Sequence, residues 1–318
     1  MPDDRIAVVG AAGFVGRNVV RNFADRGESV IAIVRSEDVI PGDFPAEVRP
    51  LDAGDTDALE RSLGGVSRIV HLAARSGGIQ LQEATHLDLY EDNRRLTDSV
   101  LGAAAVAGVG RVFLASSAVV YRDSASGTID ENDPIVGPGD APTGYAWSKA
   151  ADEVVAGWAN DVETVVGRFG NVYGPEASFD PARSTVVHGL ISRMVDAPKH
   201  GTVTVWGDGS AVRSFIFVQD VAAAIALILD RGEQGVAYNV DTSEAVTIRE
   251  LASLIRDLAA PSVTLEFDSS KPSGAHRRVP DSGRLRSLGF TPTMALVDGL
   301  TSTIDWYRTH RAPPDRSR

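Results

Sequence analysis

Cysteine does not occur in the 318 residues. Its absence excludes disulfides, thiolate metal ligands and any thiol nucleophile or acid. Lysine is nearly as scarce, with Lys149, Lys199 and Lys271 the only three. Acidic residues outnumber Lys and Arg by 43 to 31, for a formal net charge of −12. No nucleic-acid partner is expected of such a chain, because phosphate neutralisation needs a basic face. An anionic small molecule would need a local basic cluster to overcome the global field. No apolar run approaches the roughly 20 residues of a membrane span, so no membrane partner is expected. The N-terminus, MPDDRIAVVG, is acidic where a secretion signal is basic, and with the missing cysteines it points to the cytoplasm. The six histidines lack metal-ligand spacing, so no metal is expected. His71 reads as core, and His188 reads first as packing and second as a sugar contact.

What is present is alternation. Apolar strand-like runs at Arg5–Val9, Val30–Val34, Arg68–Leu72, Arg111–Ala115, Thr164–Val166 and Ala237–Val240 are separated by helix-like stretches at Ala58–Leu63, Leu87–Val106 and Tyr145–Trp158. Such a pattern predicts a parallel sheet covered on both faces, a doubly wound α/β fold of the Rossmann type. From about Asn171 the texture changes to Gly-Pro pairs and short segments. The expected division is a dinucleotide-binding domain over 1–170, joined by parts of 205–245, and a smaller interleaved substrate-binding lobe over 171–318. Leu296–Tyr307 reads as a last amphipathic helix and Ala312–Arg318 as a fraying tail.

The first run ends in Gly10-Ala-Ala-Gly13-Phe14-Val15-Gly16 and opens into a helix. In that setting Gly10 permits a tight turn, Gly13 lets the backbone approach a pyrophosphate, and Gly16 allows close helix–strand packing. The helix N-terminus offers free N–H groups to phosphate. The second run ends in Val34-Arg35, where enzymes that read free ribose hydroxyls usually place an acid. A guanidinium there suits a 2′-phosphate, so NADP is favoured over NAD, with adenine stacking by Arg35 the competing reading.

Tyr145 and Lys149 stand one helical turn apart in Tyr-Ala-Trp-Ser-Lys, on one face. A nearby ammonium lowers a phenol's pKa and makes it a usable proton donor or acceptor. Ser117, just beyond the run Arg111–Ala115, would lie at the carboxyl edge of the sheet, where it can hydrogen-bond a reacting oxygen. Strand-end capping is its plainer role.

Together the glycine turn, Ser117-Ala-Val-Val-Tyr121, Tyr145-xxx-Lys149 and Arg168-Phe-Gly-Asn171-Val-Tyr173-Gly-Pro175 resemble the extended short-chain dehydrogenase/reductase family, rich in nucleotide-sugar epimerases, dehydratases and reductases. The resemblance implies an adenine contact at Asp52 with Ala53 beside it, a ribose wall at Leu72, Ala73 and Ala74, and a helix asparagine at Asn93. It also implies a homodimer through the helices Leu87–Val106 and Tyr145–Trp158. Within the family, Leu72–Ile79, Val205–Gly209, Arg213–Ile216, Thr247–Leu251 and Lys271–Arg278 are similar to the GDP-L-fucose synthase subgroup of NADPH-dependent reductases. By that similarity Ser76, Gly77, Gly78, Asn171, Trp206, Arg213, Lys271 and Arg277 would meet a nucleotide-diphosphate sugar. The departures narrow the chemistry. The cysteine and histidine of the subgroup's 3,5-epimerase pair fall at Val119 and Thr185, and the acid–base pair of 4,6-dehydratases falls at Ala118 and Val119. The expected activity is therefore NADPH-dependent reduction of a 4-keto nucleotide sugar by Ser117, Tyr145 and Lys149. An NAD-dependent 4-epimerase and a non-catalytic dinucleotide-binding regulator are the alternatives.

Overall fold

Ile6 and Val8 of the first strand, β1 (Arg5–Val9), lie in one apolar core, and Ala7 and Val9 lie in another. All four are buried, the two-faced burial that a central parallel strand requires. The computed structural model describes residues 4–35, 40, 43–77, 82, 84–122, 129–181, 183–271 and 275–311. Six further strands run parallel to β1: β2 (Ser29–Val34), β3 (Glu47–Pro50), β4 (Val66–His71), β5 (Arg111–Ser117), β6 (Glu163–Phe169) and, far along the chain, β11 (Ala237–Val240). Their order is β11-β6-β5-β4-β1-β2-β3. The direction of winding reverses between β1 and β4, and that switch point opens the ligand crevice at the carboxyl edge.

Helices cover both faces. The helices α1 (Phe14–Asp25) and α6 (Val218–Arg231) pack on each other over one face, burying Val19, Val20 and Phe23 against Ile225 and Ile228. The other face carries α2 (Thr56–Ser62), α3 (His86–Ala107) and α4 (Gly144–Trp158), through Leu59, Val100, Ala103 and Ala156.

A third core, around Leu190, Ile191, Leu251, Ile255 and Leu300, holds the smaller lobe. It gathers α5 (Val186–Asp196), α7 (Ile248–Ala259) and α9 (Leu296–His310) with the parallel pair β8 (Thr202–Trp206) and β13 (Thr264–Asp268). A three-stranded ribbon joins β12 (Val246–Thr247), β9 (Val212–Arg213) and β14 (Arg277–Arg278). The pair β7 (Asn171–Tyr173) and β10 (Phe215–Phe217) bridges toward the main sheet, and the short helix α8 (Gly283–Ser287) lies against β11. Thr247-Ile-Arg-Glu250 closes a capping box on α7, giving that segment a structural reason of its own. Among the described residues no helix is long and apolar enough to cross a membrane. The tail Ala312–Arg318 lies outside the described residues.

Two strands run longer than their apolar cores predict. β5 continues to Ser117 and β6 to Phe169, paired residue by residue through Ser117↔Phe169. The extension buries Arg168, which Glu153 of α4 neutralises through hydrogen bonds of 2.6–3.1 Å. Arg168 also donates to the Tyr121 hydroxyl at 2.8 Å, which in turn donates to Asn239 of β11 at 2.7 Å. His188 is buried on α5, where packing and local hydrogen bonds hold its ring. Its Nε2 lies 3.1 Å from the carbonyl of Gly174 and its Nδ1 2.9 Å from the Thr185 hydroxyl, with Phe14 and Phe179 edge-on to the ring.

Removing one partner of a buried ion pair strands the other charge. Arg168→Ala is expected to cost about 3–5 kcal/mol of unfolding free energy in chemical denaturation. Burial pushes the His188 ring down to about pH 4 from its ordinary 6.5. The fold thus favours the neutral ring. Its contribution is intact above pH 6.5 and is lost as pH falls toward 4, where only the unfolded chain takes up the proton. Over that window His188→Asn should flatten the fall in stability by about 1.4 kcal/mol per pH unit, measured by denaturation at stepped pH.

Candidate active site

The crevice begins where β1 ends. Gly10 turns with φ +89°, its N–H donating to Ile33 O at 3.1 Å and its own carbonyl accepting from Gly13 N at 3.0 Å. A Cβ on Gly10 would come within 2.7 Å of the Ala73 nitrogen, and one on Gly16 would strike the Gly10 carbonyl. No side chain caps the start of α1 at Gly13, so the first N–H groups, with Phe14 and Val15, stay open toward the crevice. An uncapped helix start behind a turn with no room for a Cβ at Gly10 or Gly16 fits a dinucleotide pyrophosphate. When bound, such a cofactor supplies or accepts the hydride.

At the far edge of β2 and β3, Asp52 follows the strand end and accepts from Gly54 N at 2.9 Å; Ala53 is buried beside it. The Gly54 N–H, then Arg95 at 3.3 Å and Arg35 farther off, hold the Asp52 carboxyl below its ordinary range. Arg95, absent from the residues picked out of the sequence, joins Arg35 in making this end of the crevice basic. Leu72, Ala73 and Ala74 follow β4 as the strip facing Gly10. Asn93 is buried on α3, and its amide is spent on shaping that strip. It accepts from Arg75 N at 2.7 Å and donates to Arg75 O at 3.1 Å and to Ser148 Oγ at 3.3 Å.

Thr143 caps α4 by accepting from Ala146 N, which sets Tyr145 in the first turn. Gly144 sits so close to His86 of α3 that a Cβ would collide with its carbonyl. Lys149, one turn on, is buried, with Nζ 3.4 Å from Asp152 Oδ2. Burial pushes the Tyr145 phenol above its ordinary range. Lys149 pulls it down and Asp152 pushes it further up. Desolvation therefore outweighs the ammonium that the tyrosine–lysine spacing invites one to credit.

Ser117 starts a single 3-10 turn, Ala118–Val120, with its hydroxyl accepting from Val119 N at 3.3 Å. It lines a cavity of about 90 Å³ with Ala118, Val119, Asn171, Arg213 and Arg278. Asn171 is fixed by donating to Ser214 O at 2.8 Å. Arg213 and Arg278 arrive on adjacent parallel strands, β9 and β14, directly paired. Successive strand residues face opposite ways, so the arginine of this segment at the cavity is Arg278 rather than Arg277. Strand alternation would have separated the two had β14 been legible. Lys271 stays on an exposed turn beside Asp268, and Trp206 is exposed at the end of β8, away from this cavity. Ser76 is exposed, Gly77 accepts from Gln82 Nε2 at 2.9 Å, and Gly78 lies outside the described residues. No cluster able to hold a metal occurs among the described residues.

An ion pair joins α1 to the loop after β7. Glu176, in the loop after β7 and at φ +68°, takes a two-point grip from Arg21 of α1 at 2.8 and 3.1 Å.

Comparison with known proteins agrees with this geometry. A model of the NAD dependent epimerase/dehydratase family matches residues 6–241. GDP-L-fucose synthase 1 of Arabidopsis thaliana is 31% identical over 314 residues, 95% of this chain and 93% of that protein. A dTDP-4-dehydro-6-deoxy-D-allose reductase of a Streptomyces species is 30% identical over 324 residues, 96% of this chain and 97% of that one. Among solved structures, dTDP-glucose 4,6-dehydratase of Streptomyces venezuelae, determined with NAD bound, superposes with a TM-score of 0.84 at 29% identity, over 96% of this chain and 98% of that chain. The chain thus belongs to the NAD-dependent epimerase/dehydratase family, as an NAD(P)-dependent enzyme of the extended short-chain dehydrogenase/reductase type.

Proposed function

We propose that this enzyme reduces the 4-keto group of a nucleotide-diphosphate sugar with NADPH, without 3,5-epimerase or 4,6-dehydratase activity. The observation that carries the reading is the wall beside Ser117. There Ala118 and Val119 are apolar, and the only ionisable groups lining the described cavity are Arg213 and Arg278. Removing a proton at C3 or C5, or expelling the C6 hydroxyl as water, needs an acid–base group at that wall. A single hydride step at a carbonyl does not.

The roles follow from position. Ser117 orients the carbonyl oxygen, and Tyr145 donates its proton to that oxygen as the hydride reaches the carbon. Lys149 holds the nicotinamide ribose and supplies the charge that eases the phenol's proton loss. Arg213 and Arg278 meet the diphosphate, the local positive charge that a chain of −12 needs. Arg35 meets the 2′-phosphate that distinguishes NADP. Relatives that act on GDP- and dTDP-linked sugars support the substrate class.

The enzyme assembles as a homodimer through α3 and α4, whose outer face exposes Val106 (69%) and Trp158 (70%). Trp158→Arg should then give monomers in light scattering, and an unchanged mass would refute this interface.

Mixed with a 4-keto-6-deoxy sugar linked to GDP or dTDP, the protein should oxidise NADPH stoichiometrically. Tyr145→Phe should lose about 100-fold or more in turnover while binding NADPH as before. Co-purified stoichiometric NAD, with no NADPH consumed on any such substrate, would sink the reductase reading in favour of a 4-epimerase.

A further inference from the structure

The helix α4 carries four chemistry-bearing side chains, and the proposed reaction uses only two of them. Glu153 is accounted for by Arg168. Asp152, one residue earlier, points about 100° around the helix, toward α3 and Lys149. Its side chain is 4% exposed, and that of Lys149 is 5% exposed. One oxygen, Oδ2, lies 3.4 Å from Lys149 Nζ. The other, Oδ1, lies 2.5 Å from Arg94 Nη1. Arg94 is anchored in turn by Asp98, one turn on along α3 at the surface. A buried carboxylate thus stands between two cations, one structural and one reserved for the reaction.

We propose that Asp152, held by Arg94, is a positioning residue: it fixes the Lys149 ammonium one turn from Tyr145 and sets a compensating charge beside it. The proposal rests on the reading that Tyr145 is the proton donor and Lys149 its partner.

Burial alone would make an isolated lysine at this depth costly; burial also pushes the Asp152 carboxyl up, against the pull of Lys149 and Arg94, so the pair offsets part of that cost while leaving two donors of Nζ for a ribose. The same anion acts on the tyrosine with the opposite sign to the lysine. In a ketoreduction the phenol must keep its proton until the hydride arrives, so an offset to Lys149 is useful. The charged groups facing this site are few. On α4 they are Lys149 and Asp152, with Glu153 turned away to Arg168 of β6. On α3 they are Arg94 and Asp98. On β4 there is His71, which burial, with Lys149 beside it, drives down to about 3 and so keeps neutral. Thr97 of α3 lies between the two sides, close enough to Asp152 to hold its carboxyl down and 3.3 Å from His71 Nε2.

Three substitutions separate position from charge. Asp152→Asn keeps an oxygen acceptor for Lys149 and removes the charge. Asp152→Glu keeps the charge, and Asp152→Ala removes both. Tyr145 ionisation is read without substrate, as the phenolate absorbance difference between each protein and its Tyr145→Phe counterpart. NADPH and NAD affinity is read by titration, and folding by circular dichroism. Asp152→Asn should let Tyr145 ionise about one pH unit lower, with dinucleotide affinity within about twofold of the parent. The alkaline limb of NADPH turnover should move down with it. Asp152→Glu should restore the parent profile. Asp152→Ala should weaken dinucleotide binding about tenfold. If Asp152→Ala does not fold, the isosteric Asp152→Asn carries the test alone. An Asp152→Asn profile that superimposes on the parent would overturn the proposal. Should Lys149→Ala bind dinucleotide normally and Tyr145→Phe keep full turnover, the underlying tyrosine–lysine reading fails first, and the proposal goes with it.

Discussion

The buried pair Glu153–Arg168 is the constraint on which the crevice depends. Glu153 belongs to α4, which carries the tyrosine and lysine, and Arg168 belongs to β6, which flanks the serine strand. Through Tyr121 and Asn239 the same guanidinium reaches β11 at the sheet edge. Four elements are thereby locked in a polar knot with its donors directed at acceptors, the only way such groups survive burial. With α4 unable to rotate about its axis, the residues one position earlier and one turn earlier have fixed directions. Asp152 then has no choice but to face Lys149 and α3.

At the other side of the switch point the constraint is steric. The glycine turn and the strip Leu72–Ala74 approach closely enough that a side chain at Gly10 would meet backbone. Polar side chains stay out of this seam, and Asn93 serves it from behind by gripping Arg75. Arginines stand at both ends of the crevice, Arg213 and Arg278 at one and Arg35 and Arg95 at the other, with Arg95 paired to Asp52.

Much of this was legible in the sequence because apolar periodicity reports burial directly. β1, β2, β4, β11 and the long helices all follow their apolar runs. The edge strand β3 was not, because its residues are largely exposed and carry no such signal. The ends of β5 and β6 were hidden for a different reason. Ser116 and Arg168 look like loop residues until their shared partner Glu153 is known. The Tyr145–Lys149 spacing was visible, but the sign of the phenol's shift was not, since spacing carries no information about desolvation. Arg278 and Asp152 were out of reach because each acquires its meaning from a segment distant in the chain.

The grip of Arg21 on Glu176 has a thermodynamic consequence. It joins the helix behind the glycine turn to the loop that follows β7. Any displacement of that loop must either break a two-point charged contact or pull on the helix. With its two side chains 39% and 23% exposed, the contact is a salt-sensitive tether: it holds the loop and the helix together at low ionic strength and slackens as counterions screen it.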